Sequence, residues 1–425
     1  MWLLDRLLRA VVREGQLVII NYDGRRYTYG SGADPLTVRF THPRTSWRIA
    51  RDPGLGAGES YMDGSLTIDP PHDVRDLVML VMNNADRPGA NMDPPNPLHR
   101  LADRLAWRLD QFNSKARIGR KVRHHYDLNR QFYELFLDED RQYTMAYWRS
   151  PDETLEQAQV DKKALIAAKL RLEPGKAQDM RVLDIGCGWG GLGLYLNRHY
   201  GCEVLGVSLA PDQVRFANER AQAAGVADKV RFELIDYRDV TGSFDRITSV
   251  GMIEHVGAGN FGEYFGKTFE LLADDGIMLT HTIGRTGGPG RTDAWTRKHI
   301  FPGGYIPALS ELVDAVELTG WQVSDLEVLR YHYALTLHEW YRRTTAHREQ
   351  IVALYDERLF RMWQFYLAGA EQSFRSGGMV NFHLQTVKNQ AVLPMTRDYI
   401  AQESDRLMAS EAAPEWHLAR AAAAE

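Results

Sequence analysis

The sequence predicts an α/β fold built around a parallel β-sheet. From residue 181 onward, short apolar runs alternate with segments of helical periodicity, a pattern typical of successive βαβ units. One of these runs leads into a glycine-rich turn at 186–191 and then into a helix. Of the 425 residues, 44% are hydrophobic, which is enough for a sizeable buried core. We therefore expect an α/β core with further elements before and after it.

Two domains are expected, because three prolines within 93–97 interrupt regular structure. The first domain, 1–95, has a leading helix, strands at 17–20, 26–29 and 36–40, and a helix at 74–83. The second domain, 96–425, opens with helices at 98–111 and 131–137. Its predicted strands are 181–186, 203–207, 230–235, 246–250 and 276–282, its intervening helices include 211–224 and 264–272, and aromatic-rich helices follow at 333–343 and 355–368.

The leading helix is amphipathic. Its apolar residues recur at helical spacing with arginines on other faces: Leu3, Leu4, Leu7, Leu8, Val11 and Val12, against Arg6, Arg9 and Arg13. Two interpretations stay open, a helix packed on the core and a helix lying in a membrane interface. The first domain is accordingly a candidate for membrane docking or for dimerisation.

Composition excludes several classes of protein. The formal net charge of −5 carries no nucleic-acid signal. Two cysteines, Cys187 and Cys202, make no disulfide framework and fit a reducing cytoplasm. No run of about 18 apolar residues predicts a membrane span. We expect a cytoplasmic protein.

The most informative segment is the strand 182–185 with the glycines that follow it. Gly186, Gly188 and Gly191 satisfy the G-x-G-x-x-G pattern of dinucleotide sites, which also want an acidic residue at the end of the next strand. That strand ends at Ser208 without an acid, whereas Asp184 precedes the first glycine. This favours the cofactor loop of a methyltransferase over a dinucleotide loop or a plain strand-to-helix turn.

Further motifs follow the same order as in one known family. They lie at 56–64, 125–128, 143–148, 182–191, 236–239, 249–257, 281–284, 301–304 and 339–341. Across nearly the whole chain the sequence resembles the cyclopropane-fatty-acyl-phospholipid synthases and mycolic acid cyclopropane synthases. The resemblance implies a Rossmann-like class I S-adenosylmethionine-dependent methyltransferase core, with an N-terminal α/β domain and extra helices covering the active site.

The resemblance also implies two binding sites. The S-adenosylmethionine contacts fall on Tyr143, Thr144, Gly186, Gly188, Ser208, Gln213, Tyr237 and Val250, and we add Asp184 from the glycine loop. The bicarbonate site falls on Glu254, His281, Tyr341, the backbone of Ile283 and position 145. The family usually has cysteine at that last position, and this chain has Met145, which retains the backbone N–H.

The expected reaction accounts for these residue types. An alkene is a weak nucleophile that attacks a sulfonium methyl group only when geometry is enforced and water is excluded. The resulting carbocation would be stabilised by aromatic faces, for which Tyr126, Trp340 and Tyr341 are candidates. Ring closure then needs a base, for which bound bicarbonate held by Glu254 and His281 is suited.

Simpler interpretations compete at several positions. No metal is expected at Glu254-His255, because Gly251 breaks the spacing of a zinc motif. His281 by itself would be read as a core histidine, and Cys187 as small packing. The apolar stripe of the last aromatic-rich helix suits either core packing or the lining of an acyl channel: Tyr355, Leu359, Met362, Trp363 and Tyr366.

The predicted function is methylene transfer from S-adenosylmethionine to the double bond of an unsaturated phospholipid acyl chain, forming a cyclopropane. One alternative is the same transfer giving a methylene- or methyl-branched chain, and another is an inactive lipid-binding protein on the same scaffold. The protein is expected to associate peripherally with the inner face of the membrane, with a homodimer as a candidate assembly.

Overall fold

The structure is a computed structural model that describes residues 1–85 and 129–411. The chain divides into two compact units. Unit 1 comprises Met1–Phe112, Arg291–Gly304 and Leu337–Met379, and unit 2 comprises Asn113–Gly290, Tyr305–Thr336 and Val380–Glu425. The predicted boundary near residue 95 and the predicted helix at 98–111 lie outside the described residues.

The helices and strands are numbered here in chain order. The helices are α1 (Trp2–Val11), α2 (Thr45–Arg51), α3 (Pro53–Met62), α4 (Val74–Ala85), α5 (Arg130–Glu134), α6 (Leu155–Lys169), α7 (Gly191–Tyr200), α8 (Pro211–Ala223), α9 (Phe261–Leu271), α10 (Ala294–His299), α11 (Leu309–Leu318), α12 (His332–Ala346), α13 (Arg348–Leu354), α14 (Glu357–Arg375) and α15 (Asp398–Glu411). The strands are β1 (Gly15–Ile20), β2 (Arg26–Ser31), β3 (Pro35–Phe40), β4 (Leu66–Ile68), β5 (Arg181–Ile185), β6 (Glu203–Ser208), β7 (Val230–Leu234), β8 (Phe244–Val250), β9 (Leu272–Arg285), β10 (Gln322–Leu329) and β11 (Met379–Val387).

Unit 1 contains a four-stranded sheet of order β2-β1-β3-β4. β1 pairs antiparallel with β2 and parallel with β3, while β4 runs antiparallel to β3. The leading helix α1 buries Leu4, Leu8 and Val11 in the core of this unit and leaves Trp2 and Leu3 exposed. One face of the helix is therefore core-packed, as the first of the two interpretations expected.

Helix α3 carries the glycine-rich motif at 56–64, and close packing explains one of its glycines. A Cβ added at Gly58 would lie 2.8 Å from a ring carbon of Phe365 on α14 and would also meet the Trp295 indole on α10. Real Cβ atoms do not approach neighbours so closely, so any larger residue would separate these helices. Asp52 begins α3 by accepting a hydrogen bond from the Leu55 N–H at 3.1 Å.

Unit 2 contains a seven-stranded sheet of order β10-β11-β9-β8-β5-β6-β7. The pairs β5–β6, β6–β7, β5–β8 and β8–β9 are parallel, and β10 runs antiparallel to β11. This mixed sheet with intervening helices is the predicted α/β core, with β8 at the centre of the order and β5 beside it. Its strands are hydrophobic because helices cover both faces of such sheets.

Two features differ from the sequence-based expectation. The last aromatic-rich helix begins at Glu357 rather than at Tyr355, because the Asp356 carboxylate caps it by accepting from the Leu359 N–H at 2.7 Å. Strands β10 and β11 were not predicted. Within the described residues no helix is both long and apolar enough to cross a membrane.

Candidate active site

The glycine loop after β5 opens onto a cavity at the carboxyl ends of the parallel strands. The Gly186 N–H donates to the Val207 carbonyl at 2.9 Å, which ties the loop to β6. Every residue predicted to contact the cofactor lines this one cavity: Tyr143, Thr144, Asp184, Gly186, Gly188, Ser208, Gln213, Tyr237 and Val250. Ligands of open α/β sheets bind at this edge, so the geometry is that of a cofactor site.

The Asp184 carboxylate is the clearest candidate to bind a ligand in this cavity. Its side chain is 1% exposed, and neither carboxylate oxygen has a hydrogen-bond partner among the described residues. Burial raises the pKa of Asp184 to about 7, with the Lys162 ammonium acting in the opposite direction. A buried carboxylate without partners is costly, so a donor is expected to approach it from the cavity.

The glycine at 188 leaves room for that ligand. Gly188 has φ of 53°, and a Cβ added there would meet no atom within 4 Å. A larger side chain would be strained at this φ. It would also occupy the open space beside the loop, which lines the cavity. The neighbouring Cys187 thiol is buried, and burial raises its pKa well above the ordinary value, which fits packing rather than nucleophilic chemistry.

Helix α6 holds one wall of the cavity and was missed in the sequence. The buried Lys162 ammonium donates to Gln142 Oε1 and Thr144 Oγ1, each at 2.8 Å. One turn earlier, the Gln159 amide donates to the Thr144 carbonyl at 2.9 Å. Polar residues three apart on a mostly apolar helix were the available signal. Burial lowers the pKa of Lys162. The Lys162 ammonium is also the charged group that opposes the rise in the pKa of Asp184.

A buried ion-pair cluster supports the same wall. The Asp140 carboxylate pairs with Lys163 on α6 and with Arg220 on α8. Arg220 also donates to the carbonyl of Trp189 in the glycine loop at 3.0 Å. The lysine and arginine hold the pKa of Asp140 well below its usual range despite burial. The cluster thus ties the segment before Gln142 to the glycine loop.

Glu254 and Ile283 lie next to each other in the structure. Glu254 lies in a short turn after β8, and its Oε1 accepts from the Ile283 N–H at 2.7 Å. The other oxygen, Oε2, is buried and has no hydrogen-bond partner among the described residues. Burial raises the pKa of Glu254 to about 7, against the opposing effect of the Ile283 N–H.

His281 is part of a buried polar group that the sequence did not reveal. Its Nε2 lies 3.1 Å from Asn381 Nδ2, and its Nδ1 lies 2.8 Å from His383 Nε2. Burial lowers the pKa of His281 to about 3, so its ring is neutral. As placed, the Asn381 amide donates to Nε2, which leaves the Nδ1–H to donate to His383. Both ring nitrogens of His281 therefore have protein partners.

The remaining catalytic candidates fall in different units or outside the described residues. Met145 is fully buried in unit 2, in the segment next to Thr144. Tyr341 belongs to unit 1, where its hydroxyl donates to Asp73 at 2.8 Å, and burial raises its pKa. Tyr126 lies outside the described residues. Among residues 1–85 and 129–411, no three His, Cys, Asp or Glu side chains are arranged to hold a metal ion.

These contacts test how well each implied ligand fits. S-adenosylmethionine fits, because its ammonium group would supply the donor that the Asp184 carboxylate lacks, and the glycine loop is open where a ligand must approach. Bicarbonate fits at one point, since Glu254 Oε2 would accept its hydroxyl proton. The Ile283 N–H and the His281 ring would have to exchange their present partners to donate to it.

Comparison with known proteins gives a consistent family. The family model described as mycolic acid cyclopropane synthetase matches residues 113–384. A cyclopropane-fatty-acyl-phospholipid synthase of Escherichia coli strain K12 is 36% identical over 349 residues, covering 81% of this chain and 86% of that protein. A probable fatty acid methyltransferase of Pseudomonas putida is 33% identical over 390 residues, covering 89% and 94%.

Solved structures agree with these matches. A mycolic acid cyclopropane synthase in complex with SAH and CTAB has a TM-score of 0.59 and is 30% identical, covering 63% of this chain and 97% of that one. Together with the family model, this establishes the activity class and supports S-adenosylmethionine as the cofactor. The chain therefore belongs to the mycolic acid cyclopropane synthetase family of S-adenosylmethionine-dependent methyltransferases.

Proposed function

We propose that this chain transfers a one-carbon unit from S-adenosylmethionine to the double bond of an unsaturated phospholipid acyl chain and closes a cyclopropane ring. The observation that carries the proposal is the pair of buried carboxylates with unpartnered oxygens. They are Asp184 on β5, at the cofactor cavity, and Glu254 after β8, the strand beside β5 in the sheet. The first suits a cationic cofactor, and the second suits a proton-transfer site. The similarity to the Escherichia coli synthase supports the choice of acceptor.

The residues around the cavity prepare the first step. The cofactor, when bound, supplies an electrophilic methyl group. Asp184 would hold its ammonium, while Ser208 and Gln213 offer further polar groups in the cavity lining. The π electrons of the acyl double bond form the new bond to the methyl carbon as the bond to sulfur breaks, which leaves a carbocation on the chain. The reaction requires that water be kept away from that cation, because water would capture it.

Ring closure requires loss of a proton from the transferred methyl carbon. The electron pair of that C–H bond forms the third side of the ring, and the proton goes to a base. Bicarbonate held by Glu254 Oε2 is the proposed base at this position. The pKa of about 7 for Glu254 allows it to exchange a proton near neutral pH.

A second product has its own support. Met145 stands where the family usually has cysteine, and its fully buried side chain adds bulk. If the base is displaced, ring closure fails and a hydride can shift from the methyl-bearing carbon to the cationic carbon. Loss of a proton from the methyl group then gives a methylene-branched product. A tuberculostearic acid methyltransferase of Mycobacterium tuberculosis is 33% identical over 393 residues.

Lipid analysis of cells that express the chain tests the proposal. Both products add one CH2 unit to an unsaturated acyl chain, so mass alone does not separate them. Ozonolysis does, because it cleaves the double bond of a methylene branch and leaves a cyclopropane intact. We expect ozone-resistant product, and none from Glu254→Gln. Ozone-labile product would favour the branching reaction, and unmodified lipids would contradict both.

Two further expectations belong to this proposal. The substrate lies in a bilayer, so the protein should contact the inner face of the membrane peripherally. Sedimentation velocity tests the expected homodimer. Assays in bicarbonate-depleted buffer test the anion, and a rate unchanged by added bicarbonate would contradict its role.

A further inference from the structure

One surface of unit 1 combines exposed apolar side chains with arginines. We call it the N-terminal patch and define it by Trp2, Leu3, Arg6, Arg44, Trp47 and Arg51. We propose that the N-terminal patch docks on the surface of a bilayer rich in anionic phospholipid headgroups. The inference rests on the proposed function and identifies the surface through which the enzyme reaches its lipid.

The apolar part of the N-terminal patch is strongly exposed. Trp2 is 75% exposed, Trp47 60% and Leu3 43%. α1 packs against α2, and the Met1 nitrogen donates to Ser46 Oγ at 3.2 Å, so the first turns of the two helices lie side by side. Large apolar side chains rarely group on a surface without a partner, and tryptophan prefers the membrane–water interface.

The cationic part lies on the same helix faces. Arg6 follows Trp2 by four residues, while Arg44 and Arg51 flank Trp47 by three and four residues. The Arg51 guanidinium lies 5.6 Å from the centroid of the Trp47 ring. In the part of the chain that the structure describes, none of these three arginines forms an ion pair with a carboxylate. Their charge is therefore available to an external anion.

Neighbouring acids do not cancel this charge. Glu59 pairs with Arg48 at 2.6 Å and with Lys298 at 2.5 Å, and Asp63 pairs with Arg48 at 2.8 Å. Those carboxylates already have cationic partners. Asp52, next to Arg51, caps α3 and forms no ion pair within the described residues. It offsets one of the three arginine charges, which leaves an excess of two.

The charge pattern also selects the occupant. The whole chain carries a net charge of −5, so general attraction to polyanions is weak and an anionic surface would be attracted by a locally basic face such as this one. Arginines beside exposed tryptophan and leucine suit a headgroup layer, where the charges meet phosphates and the apolar groups insert. Nucleic acid would leave the apolar side chains without a partner.

Flotation with vesicles tests the proposal on the full chain without cofactor, in phosphatidylglycerol and in phosphatidylcholine. We expect wild type to float with phosphatidylglycerol and to be released by salt. Combining Arg6→Glu, Arg44→Glu and Arg51→Glu should lower partitioning at least about 100-fold, since each arginine contributes about fivefold. Combining Trp2→Ala, Leu3→Ser and Trp47→Ala should lower it at least about tenfold.

The matched control changes exposed apolar residues of unit 2, Leu318→Ser with Tyr331→Ala, which are 78% and 56% exposed. It should float like wild type, and unchanged thermal unfolding midpoints should show that all variants are folded. Equal binding to both lipids, wild-type flotation of both patch variants, or an equal loss in the control would overturn the proposal. So would a patch variant that becomes monomeric yet still floats, because the patch would then cover a second copy.

The outcome is separable from that of the proposed function. Flotation needs no turnover, so patch-dependent binding without lipid modification would contradict the proposed function alone. Patch variants should retain turnover on substrate dispersed in detergent, where docking is bypassed. Turnover in detergent combined with flotation that ignores the patch would contradict this inference alone.

Discussion

The affinity for S-adenosylmethionine should rise with pH because Asp184 must ionise to bind it. In the cofactor-free protein the pKa of Asp184 is about 7. A cationic ligand binds the carboxylate and not the neutral acid, so the pKa falls on binding and a proton is released. At pH 5.5 about 3% of the carboxyl is ionised and at pH 7.5 about 76%, so the affinity should rise about 25-fold.

Other titrating groups set the pH range in which the effect of Asp184 can be measured. An α-ammonium group has a pKa of about 7.7–8.0, so the ligand itself begins to lose its charge above pH 7.5. Lys162, whose pKa is lowered by burial, loses positive charge in the same direction, which also favours the cationic ligand as pH rises. The pKa of His255 is lowered to about 4 by burial, so this residue stays neutral throughout.

Calorimetry between pH 5.5 and 7.5, in two buffers of different ionisation enthalpy, measures affinity and proton release together. Wild type should release close to one proton at pH 5.5 and a small fraction at pH 7.5. Asp184→Asn should bind weakly with little pH dependence, while Lys162→Met should keep most of the slope. A wild-type affinity that stays the same within about twofold across this pH range would refute the reasoning.

The same substitution should act on stability with the opposite sign. The folded pKa of Asp184 lies above its unfolded value of 3.8, so burial of the carboxylate destabilises the cofactor-free protein as pH rises from about 4 to 7. The full shift corresponds to at most about 4 kcal/mol. Cofactor-free Asp184→Asn should therefore unfold at a higher temperature than wild type at pH 8, and a lower midpoint would contradict the buried-charge argument.

Four further predictions concern single residues. Gly188→Val should abolish cofactor binding in calorimetry while circular dichroism stays near wild type, because the side chain enters a ligand-facing loop at positive φ; near-normal affinity would remove the cofactor assignment. Glu254→Gln should lose at least about 100-fold in turnover at unchanged cofactor affinity, and parallel losses in both would indicate misfolding. Met145→Cys should move any mixed product toward the cyclopropane, whereas an unaltered ozonolysis profile would show that this position does not steer the proton. His383→Leu should destabilise the protein by about 1–3 kcal/mol, because the His281 ring loses a buried partner; chemical denaturation that matches wild type would show that the pair contributes nothing.

The parallel core and the cofactor loop were predictable because their chemistry is local. Strands β5 to β9 are apolar runs separated by helical periodicity, and the glycines of the loop adjoin the strand that ends near Asp184. The family resemblance then supplied positions such as Tyr143 and Gln213, which no periodicity identifies and which the fold brings to the same cavity.

Two of the missed elements, β11 and α6, share a physical cause, which is burial of polar residues. β11 carries Asn381, His383 and Gln385 at alternate positions, all buried, so it reads as a half-exposed strand or a loop. Their partners, His281 and the Lys169 carbonyl, are at least 100 residues away in the sequence. Such pairing decides the energetics but leaves no pattern within a sequence window.

The assembly of unit 1 from distant parts of the chain has a consequence for biosynthesis. Within this unit, α3 and α4 pack against α14, and α3 also packs against α10. The ribosome releases those partners about two hundred to three hundred residues after α3 emerges, or roughly 10 to 60 seconds later at about 5–20 residues per second. During that interval the nascent α3 presents its glycine-lined face, including Gly58, to solvent or to chaperones. The N-terminal unit should thus be among the last parts of the protein to become protease-resistant during translation.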